Sequence, residues 1–485
     1  MKSQPKNSQK RMTTYIPSQI LTPDTVETRL GKLQFFDGFP DDATVEKVYD
    51  NLDFQRGVQA YLTALPWAQA YALREGLRSV GVTDNQTMGI FETMVDSKSL
   101  YLIPNCESIY CFLWLDLRDG PLVIETPPNV LGMINDSWFN YVADIGNVGP
   151  DRGKGGKYLL LPPGYTGEVP DGYFVYHSAT YGNLFGWRGF QVEGDPKPAV
   201  DIIKKFTKVY LLSHIEKPPA MKFINLSGRA FNTVAANDFS FYENINCIVQ
   251  EEPINALNPD TLGLLAAIGI VKGKPFMPDG RMRAILTESV AVGNATARVN
   301  LFSNRIKERF FYPDSAWFTV FSCGNHEFLD DGVPLLDARI AYWYFANGIS
   351  PAMVLKMVGV GSQYAAAMVD SQGKPLDGSK TYKVHLPPKV PVKDFWSFVI
   401  YDNQTRTMLQ TDQQFPSISS NNKGIVINSD TSIDIWFGPT EPEGHETNWL
   451  QTIPGKGWFT FLRLYGPLQS WFDKNWRPGE IELVK

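Results

Sequence analysis

The sequence is poor in the residues that mark the commonest active sites. Its 485 residues include four cysteines and five histidines. Cys106, Cys111, Cys247 and Cys323 form no Cys-x-x-Cys pair. His177, His214, His326, His385 and His445 are scattered, with no His-Glu-x-x-His run, so no zinc site is legible. The cysteines are expected to be free, half-buried thiols. Cys106 and Cys111 stand an odd number of positions apart on an expected strand and would face opposite sides of it.

Long apolar runs are missing too, which excludes a membrane-spanning helix. The opening residues, MKSQPKNSQKRMTTY, are polar and basic and contain no apolar core of a secretory signal. The expectation is a cytoplasmic chain whose first dozen or so residues form a disordered tail. Basic residues are not in excess: 45 Lys and Arg stand against 51 Asp and Glu, a net charge of −6. That argues against nucleic acid or an anionic membrane as partner, since either needs a basic face. No solenoid-period repeat appears.

What is present fits an ordinary soluble protein, with 43% hydrophobic and 20% charged residues. The length accommodates about two to four domains. Aromatics reach 13%, and 40 glycines and 34 prolines supply turns, so strand-rich architecture is expected.

Along the chain, Val45, Val48, Tyr49, Leu52, Val58, Tyr61 and Leu62 recur at helical spacing. They predict a helix over 44–77, ended or kinked at Pro66 and with a cap at Asp50 or Asp53 for its second segment. Residues 90–210 read as short alternating strands with turn punctuation, a β-sandwich pattern. Residues 198–211 suit one helix, ended near Pro218 and Pro219. Helices follow up to Pro253, from the Asn258-Pro-Asp cap, and over 282–306. Residues 338–347 fit a helix or a long aromatic strand equally. From Asp394 to Trp476 the chain alternates apolar and polar residues like consecutive antiparallel strands. The expected division is 1–50 for a tail and extension, 51–215 for a helix plus sandwich, 216–340 for a mainly helical domain and 341–485 for a second β-domain.

Several motifs invite chemistry. The loop Gly149–Lys157 is rich in Gly and Lys but lacks the phosphate-loop order and precedes a strand, not a helix. His177-Ser178 offers a nucleophile without a Gly-x-Ser-x-Gly elbow. Glu107, Asp116, Asp144, Asp402 and Asp430 lie in or beside apolar runs, where a carboxylate needs a partner. Arg463 sits mid-strand between Leu462 and Leu464, and Tyr465 shares its strand face, as Asn105 and Glu107 share theirs. An arginine beside a tyrosine hydroxyl makes an anion clamp. The plainer alternative is that Arg463 pairs with a carboxylate or faces solvent. Asp430 and Asn448-Trp449 read as turn chemistry.

The segment PNCESIYCFLWLDLRDGPLVIETPP, followed by WFNYVADIGNVG and YLLLPPGYTGEVPDG, resembles the bacterial domain-of-unknown-function family 1254. Asn105, Tyr110, Asp116 and Pro163-Gly164-Tyr165 stand at that family's motif positions. Glu107 replaces its usual Asp and Tyr165 its usual Trp. The C-terminal part resembles the companion family 1214 in Phe395–Asp402, Asn428–Ser432, Asn448–Leu450, Arg463–Pro467 and Trp476–Pro478, with Thr431 in place of the usual Gly. The likeness is to a Vibrio-type subgroup of this tandem. It implies an immunoglobulin-like β-sandwich, a helical domain and a C-terminal jelly-roll β-sandwich, a multidomain, β-rich α+β chain. It implies no reaction.

The function expected is that of a hydrolase on a small anionic or ester-like organic substrate, in a cleft between the sandwiches. Arg463, Asn105 and Tyr110 would bind substrate. Glu107 would act as base or metal ligand and Tyr465 would donate a hydrogen bond. No metal ligands are assigned, though a divalent ion stays open, as does a homo-oligomer. The alternative is a non-catalytic carbohydrate- or small-molecule-binding or assembly protein.

Overall fold

The computed structural model describes residues 14–484; the expected N-terminal tail lies outside them. The chain is multidomain, and its helix and strand contents are close to equal, which corrects the β-rich expectation. The main reason is helix α1 (Asp42–Ser79), a single element of 38 residues. It continues through Pro66, so of the two outcomes expected at that proline, an end or a kink, the structure excludes the end. A proline there forfeits one backbone hydrogen bond and costs about 3 kcal/mol. That loss is offset because Ala64, Leu65, Trp67, Ala68 and Gln69 around it are all buried.

The cap of α1 is Asp41, whose extended backbone lets its carboxylate accept the Thr44 amide at 2.8 Å. Asp50 and Asp53 do not cap. Both pair with Arg281 at the start of α5 (Gly280–Phe302). α1 packs on α5 and on α3 (Ser240–Glu251), and α4 (Pro259–Ala267) begins at Asn258, which accepts the Thr261 amide at 2.8 Å. The α1/α5 approach depends on glycine: a Cβ on Gly293 would sit 2.5 Å from the Tyr61 ring. Gly293→Ala is therefore expected to lower unfolding stability by about 1–3 kcal/mol in denaturant titration.

Two further expectations change. The helix placed over 198–211 stops at Phe206 (α2, Lys197–Phe206), and Lys208–Leu211 is a strand. Val209 and Tyr210 pair with Leu122–Glu125, so tertiary pairing overrides a run of apolar residues compatible with either period. Residues 338–347, left open in sequence, are mostly helix: α6 spans Leu336–Phe345.

The site rests on two sheets. The first has six strands in the order β6-β1-β2-β5-β3-β4: β1 (Thr87–Ile90), β2 (Ser108–Asp116), β3 (Leu131–Asp136), β4 (Tyr141–Gly146), β5 (Gly182–Phe190) and β6 (Lys222–Asn225). A four-stranded sheet of Leu122–Glu125, Lys157–Leu161, Phe174–His177 and Lys208–Leu211 adds Leu122, Ile124, Leu160 and Val209 to the same core. The second sheet at the site is C-terminal, in the order β7-β10-β8-β9: β7 (Ser362–Ala367), β8 (Val392–Asp402), β9 (Ser417–Ser419) and β10 (Trp458–Pro467). Its Phe398, Ile400, Leu462 and Leu464 share a core with Val384, Leu386, Ile435 and Phe437 of a further four-stranded sheet.

The opposite face of β8 and β10 does not meet solvent. Val399, Tyr401, Phe459 and Phe461 belong to the core cluster of the N-terminal part. All ten residues of β10 are buried. Side chains alternate across a strand, so Phe461, Arg463 and Tyr465 all point at the N-terminal unit. Among the described residues no helix is long and apolar enough to cross a membrane.

Candidate functional site

A cavity of about 150 Å³ lies where the six-stranded sheet, the C-terminal sheet and the α6 region meet. Strand register builds its floor. Phe112, Gly186, Met133 and Asp144 stand side by side on β2, β5, β3 and β4, and the next row on the same face begins Tyr110, Arg188, Leu131. All of these line the cavity. Gly186 leaves a gap in the floor; a Cβ there would press on the Phe112 ring at 3.1 Å.

The roof is the segment after α6. Asn135 on β3 clamps it, donating to the Ile349 carbonyl at 2.8 Å and accepting the Ile349 amide at 3.0 Å. Gly348 has φ +71°, and a Cβ there would collide with Met133. Only glycine allows both the left-handed turn and this approach. Tyr342 of α6 donates to the Gly348 carbonyl at 2.7 Å. Asn347 is thereby held over the floor, followed by Ser350, Ala352 and Met353 at the short helix α7 (Pro351–Val354). The C-terminal sheet closes the remaining side with Ser362, Tyr364, Phe461 and Arg463. Tyr364 and Arg463 are register partners across β7 and β10, and the Tyr364 and Ser362 hydroxyls are 2.9 Å apart.

The walls are mainly apolar, yet two arginines face the space. Arg463 is 4% exposed. Its Nη2 donates to the Ile103 carbonyl at 2.8 Å, to the Pro104 carbonyl at 3.4 Å and to the Tyr401 hydroxyl at 2.7 Å. Its Nε has no partner. Arg188 is half-buried, with its guanidinium 5.9 Å from the Tyr110 ring centre. Burial works against its charge, and Tyr364, Tyr110 and Tyr465 outweigh it, with Arg463 opposing. Two enclosed cations without an ion-pair partner are costly to hold. The cost is visible at Tyr364. Burial alone would raise its phenol, but Arg188 and Arg463 outweigh it and draw the phenol below its ordinary value.

Polar groups gather on the other side of the cavity. Asn347 is 9% exposed, and neither its amide nitrogen nor its oxygen has a partner. Asp144 Oδ1 is also unpartnered. Burial pushes the Asp144 carboxyl up, while Ser350 and the Ala352 amide hydrogen-bond to it and hold it down in part.

The five residues chosen from sequence do come together, but only Tyr110 and Arg463 line the cavity. Asn105 is buried, and its Oδ1 accepts from the Glu107 amide, the Ser108 amide and the Ser108 hydroxyl. Its Oδ1 fixes the turn into β2, its Nδ2 has no partner among the described residues, and it does not line the cavity. Tyr110 accepts the Asn105 amide at 3.4 Å. Glu107 accepts the Ser417 hydroxyl of β9, and the Tyr465 hydroxyl at 3.4 Å. Glu107 and Tyr465 thus form a joint between the two units and are not among the residues that line the cavity.

Burial pushes the Glu107 carboxyl above its ordinary value, against Ser417, Arg463, Ser397 and Tyr465. The folded chain therefore holds this proton more tightly than the unfolded chain. Stability from this group is full below the unfolded glutamate range and is lost as pH rises through the raised value. Glu107→Gln is expected to flatten that fall, gaining on the parent as pH increases in a series of urea unfolding midpoints.

Arg188, Tyr364 and Asn347 escaped the sequence reading. Arg188 carried the same signal as Arg463, a lone arginine inside an apolar strand. The other motifs resolve into structure. Ser178 is buried and donates to the Thr180 carbonyl and Asn183, both at 2.8 Å. Asp151 anchors the Gly/Lys loop by accepting from Tyr158 at 2.9 Å. Asp402 pairs with Lys456 and Asp116 with Arg118. Asp430 accepts the Ser432 amide at 3.0 Å in a turn, and Asn448 bridges Val426 and Asp434. Among the described residues no three His, Cys, Asp or Glu side chains cluster as a metal site requires.

Residues 86–211 match the family model described as "Protein of unknown function (DUF1254)", and residues 361–469 match that described as "Protein of unknown function (DUF1214)". Among curated proteins none matches the chain. The crystal structure of the VPA0106 protein from Vibrio parahaemolyticus is similar at a TM-score of 0.54 and 18% identity, covering 89% of this chain and 100% of that one. An uncharacterized protein from Burkholderia cenocepacia gives a TM-score of 0.39 and 13% identity, over 90% of this chain and 96% of the other. The Vibrio likeness is one of fold.

Proposed function

Starting from a chain that joins a DUF1254 segment to a DUF1214 segment, we propose that it binds a small organic anion with an apolar body in the cavity between the two. One observation carries this reading: Arg188 and Arg463 face a mainly apolar space, and among the described residues neither is in ion-pair contact with a carboxylate. A bound carboxylate or phosphate would supply the missing charge, and Arg suits such groups because its planar fork matches their geometry. Phe112, Leu131, Met133 and Phe461 would cover the body of the ligand. Hydrolysis of an ester-like derivative is the reaction we propose to test there, with Asp144 as the group that accepts a proton from water. Asp144 replaces Glu107 in that role because Asp144 lines the cavity and Glu107 does not.

The immunoglobulin-like and jelly-roll assignments, and the boundaries at 51–215, 216–340 and 341–485, belong to the same reading. Two four-stranded C-terminal sheets on one core support the last. Calorimetric titration with aliphatic and aryl carboxylates, sulfonates and phosphate monoesters tests the function. Equimolar binding that weakens with added salt is expected. No binding by any member of the panel would sink the proposal.

A further inference from the structure

The cavity is polar at two places, and only one of them is cationic. Register sets their separation. Arg188 on β5 and Asp144 on β4 are two strand spacings apart and one same-face step out of line, so their backbones stand about 10–12 Å apart. Asn347 belongs to the Asp144 side. Ser350 and Ala352 of the same roof segment act on the Asp144 carboxyl, and a Cβ on Gly348 would meet Met133, a register partner of Asp144. Asn347 and Asp144 both line the cavity, and among the described residues three of their hydrogen-bonding atoms have no partner: Asn347 Nδ2, a donor, with Asn347 Oδ1 and Asp144 Oδ1 as acceptors. Taking an amide out of water with both ends unused is unfavourable, so this corner favours a ligand group that hydrogen-bonds to it.

We infer that the ligand carries a second, neutral group that both donates and accepts hydrogen bonds, a hydroxyl or a carboxamide, at the end remote from its anion, and that Asn347 reads it. The inference rests on the anion-binding reading of the same cavity. A carboxamide satisfies all three atoms: its oxygen accepts from Asn347 Nδ2, and its two N–H groups reach the two acceptors. A hydroxyl accepts from Nδ2 and donates to one of them. A second carboxylate would meet Asp144 and be repelled, and an ammonium, though it suits the two acceptors, has no lone pair to take the Asn347 Nδ2 hydrogen bond. Asn347 is thus a specificity-determining residue, and the ligand class is an apolar carboxylate bearing a distal hydroxyl or amide.

The test uses the full chain and four probes: phenylpropanoate and its para-hydroxy, para-carboxamide and para-aminomethyl forms, titrated calorimetrically. The hydroxy or carboxamide form is expected to bind at least about tenfold more tightly than the parent acid, because a site built to hydrogen-bond a group rejects the analogue lacking it. In Asn347→Leu that advantage should vanish while the parent acid still binds, which also reports that the variant is folded. Asn347→Asp, isosteric and without the donor, provides a second variant if leucine disturbs the roof, and it too should lose the advantage. Equal binding of parent and substituted acids, an advantage that survives both variants, or preference for the aminomethyl form would overturn the inference while the anion site stands. Failure of all four acids to bind would remove the anion site itself.

Discussion

Arg188→Met is expected to make the unliganded protein more stable and to abolish anion binding. Burial of the Arg188 guanidinium is unfavourable, and the groups that favour its charge are phenols, Tyr364, Tyr110 and Tyr465, with no carboxylate in ion-pair contact among the described residues. Methionine keeps the length and apolar stem, fills irregular space and removes the charge. Replacing enclosed charged groups with packed apolar ones commonly gains about 1–4 kcal/mol. The gain should appear as a higher unfolding midpoint in the absence of ligand. Loss of binding should be complete in the carboxylate titration, since the ligand then meets one cation instead of two. A variant less stable than the parent would show that Arg188 supports the fold, and the two enclosed arginines would then carry no functional argument.

Arg463→Ala should act in the opposite sense. Arg463 donates to the Ile103 and Pro104 carbonyls, from the loop before β2, and to Tyr401 on its own sheet. Tyr401 also donates to Pro104, so the Pro104 carbonyl keeps a partner when the arginine goes. The Ile103 carbonyl loses the bond that Arg463 gives it. Alanine also leaves a void beneath Tyr364 and Phe461, over whose rings the guanidinium lies at 5.0 and 5.2 Å. Together these are expected to cost about 3 kcal/mol or more. The readout is a lower denaturant midpoint with faster proteolysis near residues 101–106, because the lost bonds tie that loop to the C-terminal sheet. The two arginines face one cavity yet differ in what they hold: Arg463 serves the joint as well as the site. An Arg463→Ala variant as stable as the parent would contradict that division.

Much of this was legible locally. The caps at Asn258 and the helix ending before Pro253 follow from side-chain chemistry within a few residues. Strand alternation put Arg463 and Tyr465 on one face, and Asn105, Glu107 and Tyr110 close together in one short stretch. The structure keeps both groupings and joins them through the Glu107–Tyr465 contact. Roles were harder to read. Asn105 and Glu107 looked like ligands' partners because polar residues in apolar runs look alike, whether they serve a turn, a joint or a pocket.

Pro66 misled for a related reason. Its local cost is real, and only packing on both sides of α1 shows that it is met. Residues 207–211 were misread because an apolar run fits a helix or a strand until a neighbouring strand claims its backbone.

By itself the sequence determined which residues can share a face and where several elements start and stop, because periodicity and capping act over a few residues. The tertiary structure alone decided that both faces of β10 are buried and that, among the described residues, Arg188 has no carboxylate in ion-pair contact and the Asn347 amide group has no partner. Whether a polar group is satisfied depends on what surrounds it in space, and those surroundings come from strands and loops far away along the chain.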